Sequence, residues 1–253
     1  MKSKPPDNPI FVFVLRKIRL IIDPPASATF NMAVDEILME SQSEPETFPV
    51  LRIYSWDTPA CSIGYFQNVD EIKKRFQCEK LNIPVVRRIT GGGLVFHGED
   101  LTFSLCFKNP NAFLPGDVKS SYLKINETLL SGFRKLYPKM DFADCRKLPS
   151  ARNGRDRICF ESPSCYDLIL KGEKVVGSSQ RRKEGTFLHQ CSIFLKGKKE
   201  NLIGALREGF KTKWGIDFLE KGLTAGELKT AREKERERYS LRDWAFLANS
   251  FLS

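Results

Sequence analysis

The chain of 253 residues holds only two histidines, His97 and His189, which leaves little material for a protein-held metal centre. Its seven cysteines, at positions 61, 78, 106, 145, 159, 165 and 191, are an odd number without a C-x-x-C pair. Neither a disulfide framework nor a zinc ribbon is signalled, and most of the thiols read as small buried hydrophobes. Apolar runs such as Ile10 to Leu15 fall far short of the roughly 20 residues a membrane span needs. Arg16, Lys17 and Arg19 interrupt that stretch and argue against a secretory signal. The P-loop is missing too, because no Lys-Ser/Thr follows the glycines of Gly91-Gly92-Gly93 at the required spacing. Together these absences predict a cytoplasmic chain with no metal and no membrane partner.

What is present is core-forming material and positive charge. Apolar residues make up 41% of the chain, enough to bury a large core in a single domain. The net charge is +10, with much of the excess in Arg146 to Arg157 and Lys171 to Lys199. Such clustering fits a docking face as readily as a solvated basic surface. Nucleic acid or an acidic protein would each be drawn to it. The aromatics, however, follow helix and strand periods, as core packing requires, rather than forming the basic-aromatic interleaving of a nucleic-acid platform.

Residues 1–17 read as a lead-in, 18–200 as the main domain and 201–253 as a helical C-terminal extension of it. A strand is expected at Lys17 to Ile22, then a helix over Asn31 to Ser41 with Asp35 and Glu36 near its favourable N-terminal end. Two short strands, Leu51 to Trp56 and Cys61 to Tyr65, precede a helix started by Asn68 and Glu71. Strands at Pro84 to Arg88 and Gly93 to His97 flank the glycine triplet. Leu101, Phe103, Leu105 and Phe107 alternate with polar residues, the pattern of a half-buried strand. A helix over Ser121 to Tyr137 follows. Beyond a polar loop, Tyr166 to Leu170 and Lys174 to Ser179 form a hairpin around Lys171-Gly172-Glu173, with a further strand at His189 to Leu195. Helices at Asn201 to Lys211, after the Thr224/Glu227 capping box, and from Ser240 complete an α/β (α+β) pattern.

Three places could carry chemistry. Arg87-Arg88-Ile89-Thr90-Gly91-Gly92-Gly93 joins two strands, and its glycines either form a tight turn or let the backbone approach an anion or carbonyl, with the arginines supplying charge. Cys159 follows a basic loop ending in Arg155 and Arg157. It is either buried filler or a thiol whose thiolate fraction that charge raises. Lys174, at the head of a strand, is either a surface turn residue or an inward amine able to contact an acyl carbonyl.

Four segments taken together, FNMAVDEIL (30–38), SIGYFQNVDEI (62–72), RRITGGGLVFHGEDLTFSL (87–105) and ICFESPSCYDLILKGEKVVGSSQRR (158–182), resemble the biotin/lipoate protein ligase family. Within it the chain looks most like the transferases that take octanoate from acyl carrier protein. The resemblance runs in order over roughly residues 18–250. It implies a mixed β-sheet catalytic domain related to class II synthetase cores. It also implies that Cys159, opening Cys-Phe-x-x-Pro-Ser-x-Tyr, is the acyl-accepting nucleophile and that Lys174, in Gly-x-Lys-Val-x-Gly-Ser, is the active-site lysine. The acyl pocket would draw on Arg87, Arg88, Thr90, Gly91, Gly92, Gly93, His97, Gly177, Ser178 and His189.

The implied partners are octanoyl-acyl carrier protein as donor and a lipoyl-domain protein, such as the glycine cleavage H protein, as acceptor, with no cofactor and a monomer or weak dimer. Two departures stand out. Gly93 replaces an arginine often seen in the transferases, and His189-Gln190-Cys191-Ser192 stands where a His-Gly pair is common, so that a side chain replaces glycine. The rival readings are an ATP-dependent lipoate ligase, for which Cys159 would be incidental, an amidotransferase between lipoyl domains, and a basic RNA-binding module.

Overall fold

The computed structural model of the chain describes residues 17–144, 146, 164–241 and 244. In chain order, the first half comprises β1 (Lys17–Ile22), α1 (Ala28–Glu40), β2 (Val50–Tyr54), β3 (Ala60–Ile63), α2 (Val69–Arg75), β4 (Val85–Arg87), β5 (Val95–His97) and β6 (Leu101–Lys108). There follow α3 (Val118–Phe133), β7 (Met140–Phe142), β8 (Leu168–Leu170), β9 (Glu173–Lys174), β10 (Val176–Lys183), β11 (Thr186–Ile193), α4 (Lys199–Trp214), β12 (Asp217–Glu220) and α5 (Ala225–Lys234). Six strands form the main sheet in the order β10-β11-β6-β2-β1-β12, while β4-β3-β5 and β7-β8-β9 form two small sheets. The main sheet is mixed: β10, β11, β6 and β2 pair antiparallel, and β1 pairs in parallel with β2 and β12.

Each face of the main sheet is covered. Phe103, Leu105, Phe107, Phe187 and Ile193 join Ile125, Leu129 and Phe133 of α3 and Leu206 and Phe210 of α4 in one cluster. Cys106, Leu188 and Val50 pack with α1 and Ala231 of α5 in another. Burial of this apolar surface is the main driving force for the arrangement. α3 and α4 cross closely enough to need glycine on both sides. A Cβ at Gly132 would lie 2.1 Å from the Ala205 carbonyl oxygen, and one at Gly209 2.4 Å from that of Thr128.

Several sequence expectations change. α1 begins at Ala28, capped by the Ser27 side chain, so Asp35 and Glu36 sit mid-helix and buried rather than at its start. A buried carboxylate needs partners. Asp35 receives Arg52 Nη1 at 2.9 Å, Tyr54 OH at 2.8 Å, Ser104 Oγ at 2.7 Å and Gln190 Nε2 at 2.7 Å. Glu36 is held by Arg238 and by Tyr239 OH at 2.7 Å.

β6 is buried on both faces except at Lys108, because it lies mid-sheet between β11 and β2. Its polar residues are paired rather than solvated. The expected hairpin after residue 166 splits. β9 pairs with β8, whereas Val176 onward pairs with β11 over eight register positions. The C-terminal portion is not wholly helical, since β12 forms the edge of the main sheet beside β1. Thr224 and Glu227 do form a capping box, and the π turn Glu235–Tyr239 extends α5. The helix expected from Ser240 lies largely outside the described residues.

The cysteines divide. Cys61, Cys78, Cys106 and Cys191 are free and buried, as filler thiols should be. Cys165 is instead exposed and disulfide-bonded, contrary to its reading as buried filler. No described helix is long and apolar enough to cross a membrane.

Candidate active site

The glycine loop between β4 and β5 is built by its arginines. Arg88 is 4% exposed, and its Nη2 donates to the carbonyls of Gly91 and Gly93, each at 2.7 Å. Its Nη1 reaches Ser62 O at 2.9 Å and Ser62 Oγ at 3.1 Å. Arg87 donates to the carbonyls of Gly64 and Tyr65 at 3.1 and 2.6 Å and to that of Trp244 at 3.3 Å. The expectation that this pair offers charge to a ligand is corrected, since both guanidiniums turn inward and fix backbone carbonyls. Gly92 has φ +88°, and a Cβ on Gly64 would stand 2.0 Å from its carbonyl oxygen. Glycine is required by this close approach.

Beneath the loop lies a cavity of about 20 Å³. Its wall brings together Arg88, His97, Gly177 and Ser178, all expected from the sequence, with Trp56 and Ser62, which were not. His97 is fully engaged. Its Nδ1 lies 2.8 Å from Asp100 Oδ2 and its Nε2 2.8 Å from Ser62 Oγ. Trp56 stacks on the ring at 3.8 Å, and its Nε1 donates to Thr102 Oγ1, which in turn donates to Asp100. The carboxylate accepts from Nδ1–H, so Nε2 is the acceptor for the serine hydroxyl. Burial holds the imidazole pKa below its usual value despite the opposing pull of Asp100. The hydrogen bonds from His97, Thr102 and the Gly98 backbone outweigh burial and hold the Asp100 carboxyl below its own.

Thr90 joins the loop to the main sheet. Its hydroxyl lies 2.8 Å from Ser179 Oγ and donates to Gln190 Oε1 at 2.6 Å. Gln190 passes the connection on to Asp35, and it also lines the cavity. Gln190 is therefore a strut between α1, the loop and β11, while Cys191, the side chain standing in place of glycine, is buried beside it.

Lys174 and His189 are not in this wall. Lys174 is 7% exposed at its side chain, with Nζ 2.7 Å from Asp167 Oδ2. His189 is fully buried on the α3 face of the hairpin, beside Phe103 and Tyr122. Cys159 lies outside the described residues. Burial pushes the Cys61 thiol up to about 12 and raises Cys106 well above the ordinary value, which leaves both poor nucleophiles. Among the described residues no cluster of His, Cys, Asp and Glu could hold a metal.

Ser62, Asp100, Asp35, Gln190 and Asp167 escaped the sequence reading. His97-x-x-Asp100 was the available signal for one of them; the others depend on strand pairing.

Part of the expected basic face is also used internally. Arg181 donates to Ile89 O at 2.8 Å and lies over the Tyr65 ring, and Arg182 donates to Ser121 Oγ and Gln180 Oε1, each at 2.8 Å.

A mixed sheet flanked by helices, with a glycine loop closing a cavity at the β10 edge, defines an α/β catalytic domain of the lipoate ligase architecture. The chain belongs to the lipoyl protein ligase A/B catalytic domain family, which its residues 27–225 match. Octanoyltransferase LipM of Carboxydothermus hydrogenoformans is 32% identical over 259 residues, covering 87% of this chain and 95% of that protein. The LipM of Bacillus subtilis is 37% identical over 212 residues, with 80% and 75% covered. Among solved structures, a lipoate-protein ligase A bound with ATP superposes with TM-score 0.75 at 23% identity, covering 91% of this chain and 98% of that one. A bipartite lipoate protein ligase of Thermoplasma acidophilum gives 0.71 at 24%, covering 91% and 96%. At these identities the structures speak for the fold.

Proposed function

We propose that the chain is an octanoyltransferase of protein lipoylation. It takes the octanoyl group from the thioester of acyl carrier protein onto Cys159 and passes it to a lysine of a lipoyl domain, such as the glycine cleavage H protein. The observation that carries this reading is the similarity to octanoyltransferases over 87% of the chain, joined to a cysteine in the Cys-Phe-x-x-Pro-Ser-x-Tyr segment.

In the first step the Cys159 thiolate attacks the acyl carbon and the carrier's thiol leaves. In the second the acceptor amine attacks the enzyme thioester, and Cys159 is released as the amide forms. Going from thioester to thioester to amide is downhill, so no nucleotide is needed. Lys174 assists at the carbonyl or in proton transfer, and its salt bridge to Asp167 supports that role by fixing the amine. The glycine loop, Arg87, Arg88, Thr90 and His97 shape the acyl pocket.

Its present cavity of about 20 Å³ has room for little more than a water. The octanoyl chain therefore enters by parting the wall, and Met32, unbranched and adaptable, is the lining residue best able to yield.

Incubation with octanoyl-acyl carrier protein without ATP should add one octanoyl group to the intact protein, detected by mass spectrometry, and none to Cys159→Ala. Acceptor acylation that needs ATP and survives Cys159→Ala would replace this reading with that of a lipoate ligase.

A further inference from the structure

The small cavity beneath the glycine loop ends against hydrogen bonds, and beyond them is more empty space. A second cavity, of about 360 Å³, is lined by Met39, Ile89, Arg181, Thr186 and Trp244. Both cavities run along the same three elements. On α1, Met32 lines the first and Glu36 and Met39 the second, at the i, i+4 and i+7 spacing of one helix face. In the loop, Arg88 lines the first and Ile89 the second. On the β10–β11 hairpin alternate residues share a face, so the pairs Gly177/Ser192, Ser179/Gln190, Arg181/Leu188 and Lys183/Thr186 form successive rows beneath α1. The first two rows line the inner cavity, and Arg181, Lys183 and Thr186 line the outer one.

The row Ser179/Gln190 divides them. Thr90 reaches it from the loop, its hydroxyl 2.8 Å from Ser179 Oγ and 2.6 Å from Gln190 Oε1. Asp35 reaches it from α1 and accepts from Gln190 Nε2 at 2.7 Å. Thr90 and Asp35 are wholly buried, Ser179 and Gln190 nearly so. Together the four side chains close the space between helix, loop and sheet. This end wall is stiff where the side wall is soft. Pushing Gln190 aside breaks a bond to a buried carboxylate and leaves that charge short of a partner, whereas Met32 beside it changes rotamer at little cost.

We infer that this hydrogen-bonded wall sets the length of acyl chain the protein accepts, with Gln190 as the specificity-determining residue. The inference rests on the octanoyl-transfer reading, in which Lys174 meets the reacting carbonyl. Lys174 precedes the Gly177 end of β10, so the chain runs along the hairpin from the Gly177 row and its methyl end meets the Ser179/Gln190 row. The next row lies roughly 6.6 Å further on, and a chain that reaches it needs several more methylenes. Octanoyl is accommodated in front of the wall as Met32 yields. A longer chain has to cross into the outer cavity, where Met39, Ile89 and Trp244 offer apolar surface, and the wall refuses it.

The test uses acyl carrier protein charged with octanoyl or with dodecanoyl, offered to the whole chain with a lipoyl domain as acceptor. The wild type should favour octanoyl roughly 10–200-fold in kcat/KM, and Gln190→Ala, which opens the wall, should lose most of that preference through the dodecanoyl KM. Gln190→Met fills nearly the same volume without the hydrogen bonds, relaxes the preference in the same direction, and serves where the alanine variant does not fold. In the wild type, an octanoyl thioester whose chain ends in a diazirine should crosslink on irradiation to peptides carrying Thr90, Ser179 or Gln190. Crosslinks to Met39, Arg181 or Trp244 instead, or variants that transfer with the wild-type preference, overturn the wall and leave the octanoyl-transfer reading standing. If the wild type moves no octanoyl group to a lipoyl domain, that reading falls and takes the proposal with it.

Discussion

His97 and His189 are both buried, both with pKa values lowered by burial, and differently paired. Around His97 every polar group has a partner. Asp100 and Ser62 take the two ring nitrogens, Trp56 covers one face, and Thr102 links Trp56 to Asp100. Around His189 the ring accepts from Gln180 and has a donor left over. Burial alone therefore does not distinguish a histidine with both ring nitrogens paired from one with a ring nitrogen left unpaired. The count of satisfied hydrogen bonds does. The same division runs through the sheet, because the α1 side closes its polar groups into a network around Asp35, while the four buried side-chain atoms without a partner among the described residues lie on α3 and the β10–β11 hairpin.

The closed network can be broken most sharply at Asp35. Asp35→Ala strands Arg52, which is fully buried and also held by Asp23 and Asn31, and should cost about 3–5 kcal/mol in denaturant unfolding. Removing the satisfied imidazole is next in size. His97→Leu leaves Asp100 and Ser62 each short of a partner and should cost roughly 1–3 kcal/mol by the same assay.

Near neutral pH the smallest effect is on pH dependence, which grows only on acidification. His189 has its pKa lowered from 6.5 to about 3 in the fold, so between these values the unfolded chain binds a proton that the folded chain does not. Its stabilising contribution is whole above pH 6.5 and falls by at most about 1.4 kcal/mol per pH unit on acidification. The lowered pKa values of His97 and Asp100 act in the same direction. Unfolding of wild type and His189→Leu compared across pH therefore isolates the one group, and the variant should show the shallower slope.

The sequence makes the repeating elements legible and leaves their pairing hidden. Periodic apolar residues reveal α1, α3, α4 and most strands because burial on one face leaves a trace in composition. Thr102 and Ser104 of β6 defeat the same logic. They look like solvent-facing positions, yet they are buried because Trp56 and Asp35 reach them from elsewhere in the chain. Polar spelling is identical for a solvated group and a paired one. β12 is only four residues long, mostly exposed, and pairs with β1 across nearly the whole chain, so no local pattern announces it.

In the site, the glycine loop, His97, Gly177 and Ser178 could be picked out, and the structure gathers them at one cavity or one hydrogen bond away. The direction in which Arg87 and Arg88 point could not be read, because it depends on which carbonyls the folded loop offers. Gln180 is equally silent in sequence; its meaning comes from Arg182 on one side and His189 on the other.

The difference between the two histidines is tested most directly by single-turnover octanoyl transfer to a lipoyl domain in His189→Leu, with its unfolding midpoint measured on the same preparation. His189→Leu removes an unpartnered donor and one hydrogen bond, that from the partly buried Gln180 amide, so its loss of stability should be smaller than that of His97→Leu, with transfer slowed because the resemblance places His189 in the acyl pocket. A variant that unfolds as readily as His97→Leu while transferring octanoate at the wild-type rate would contradict the account.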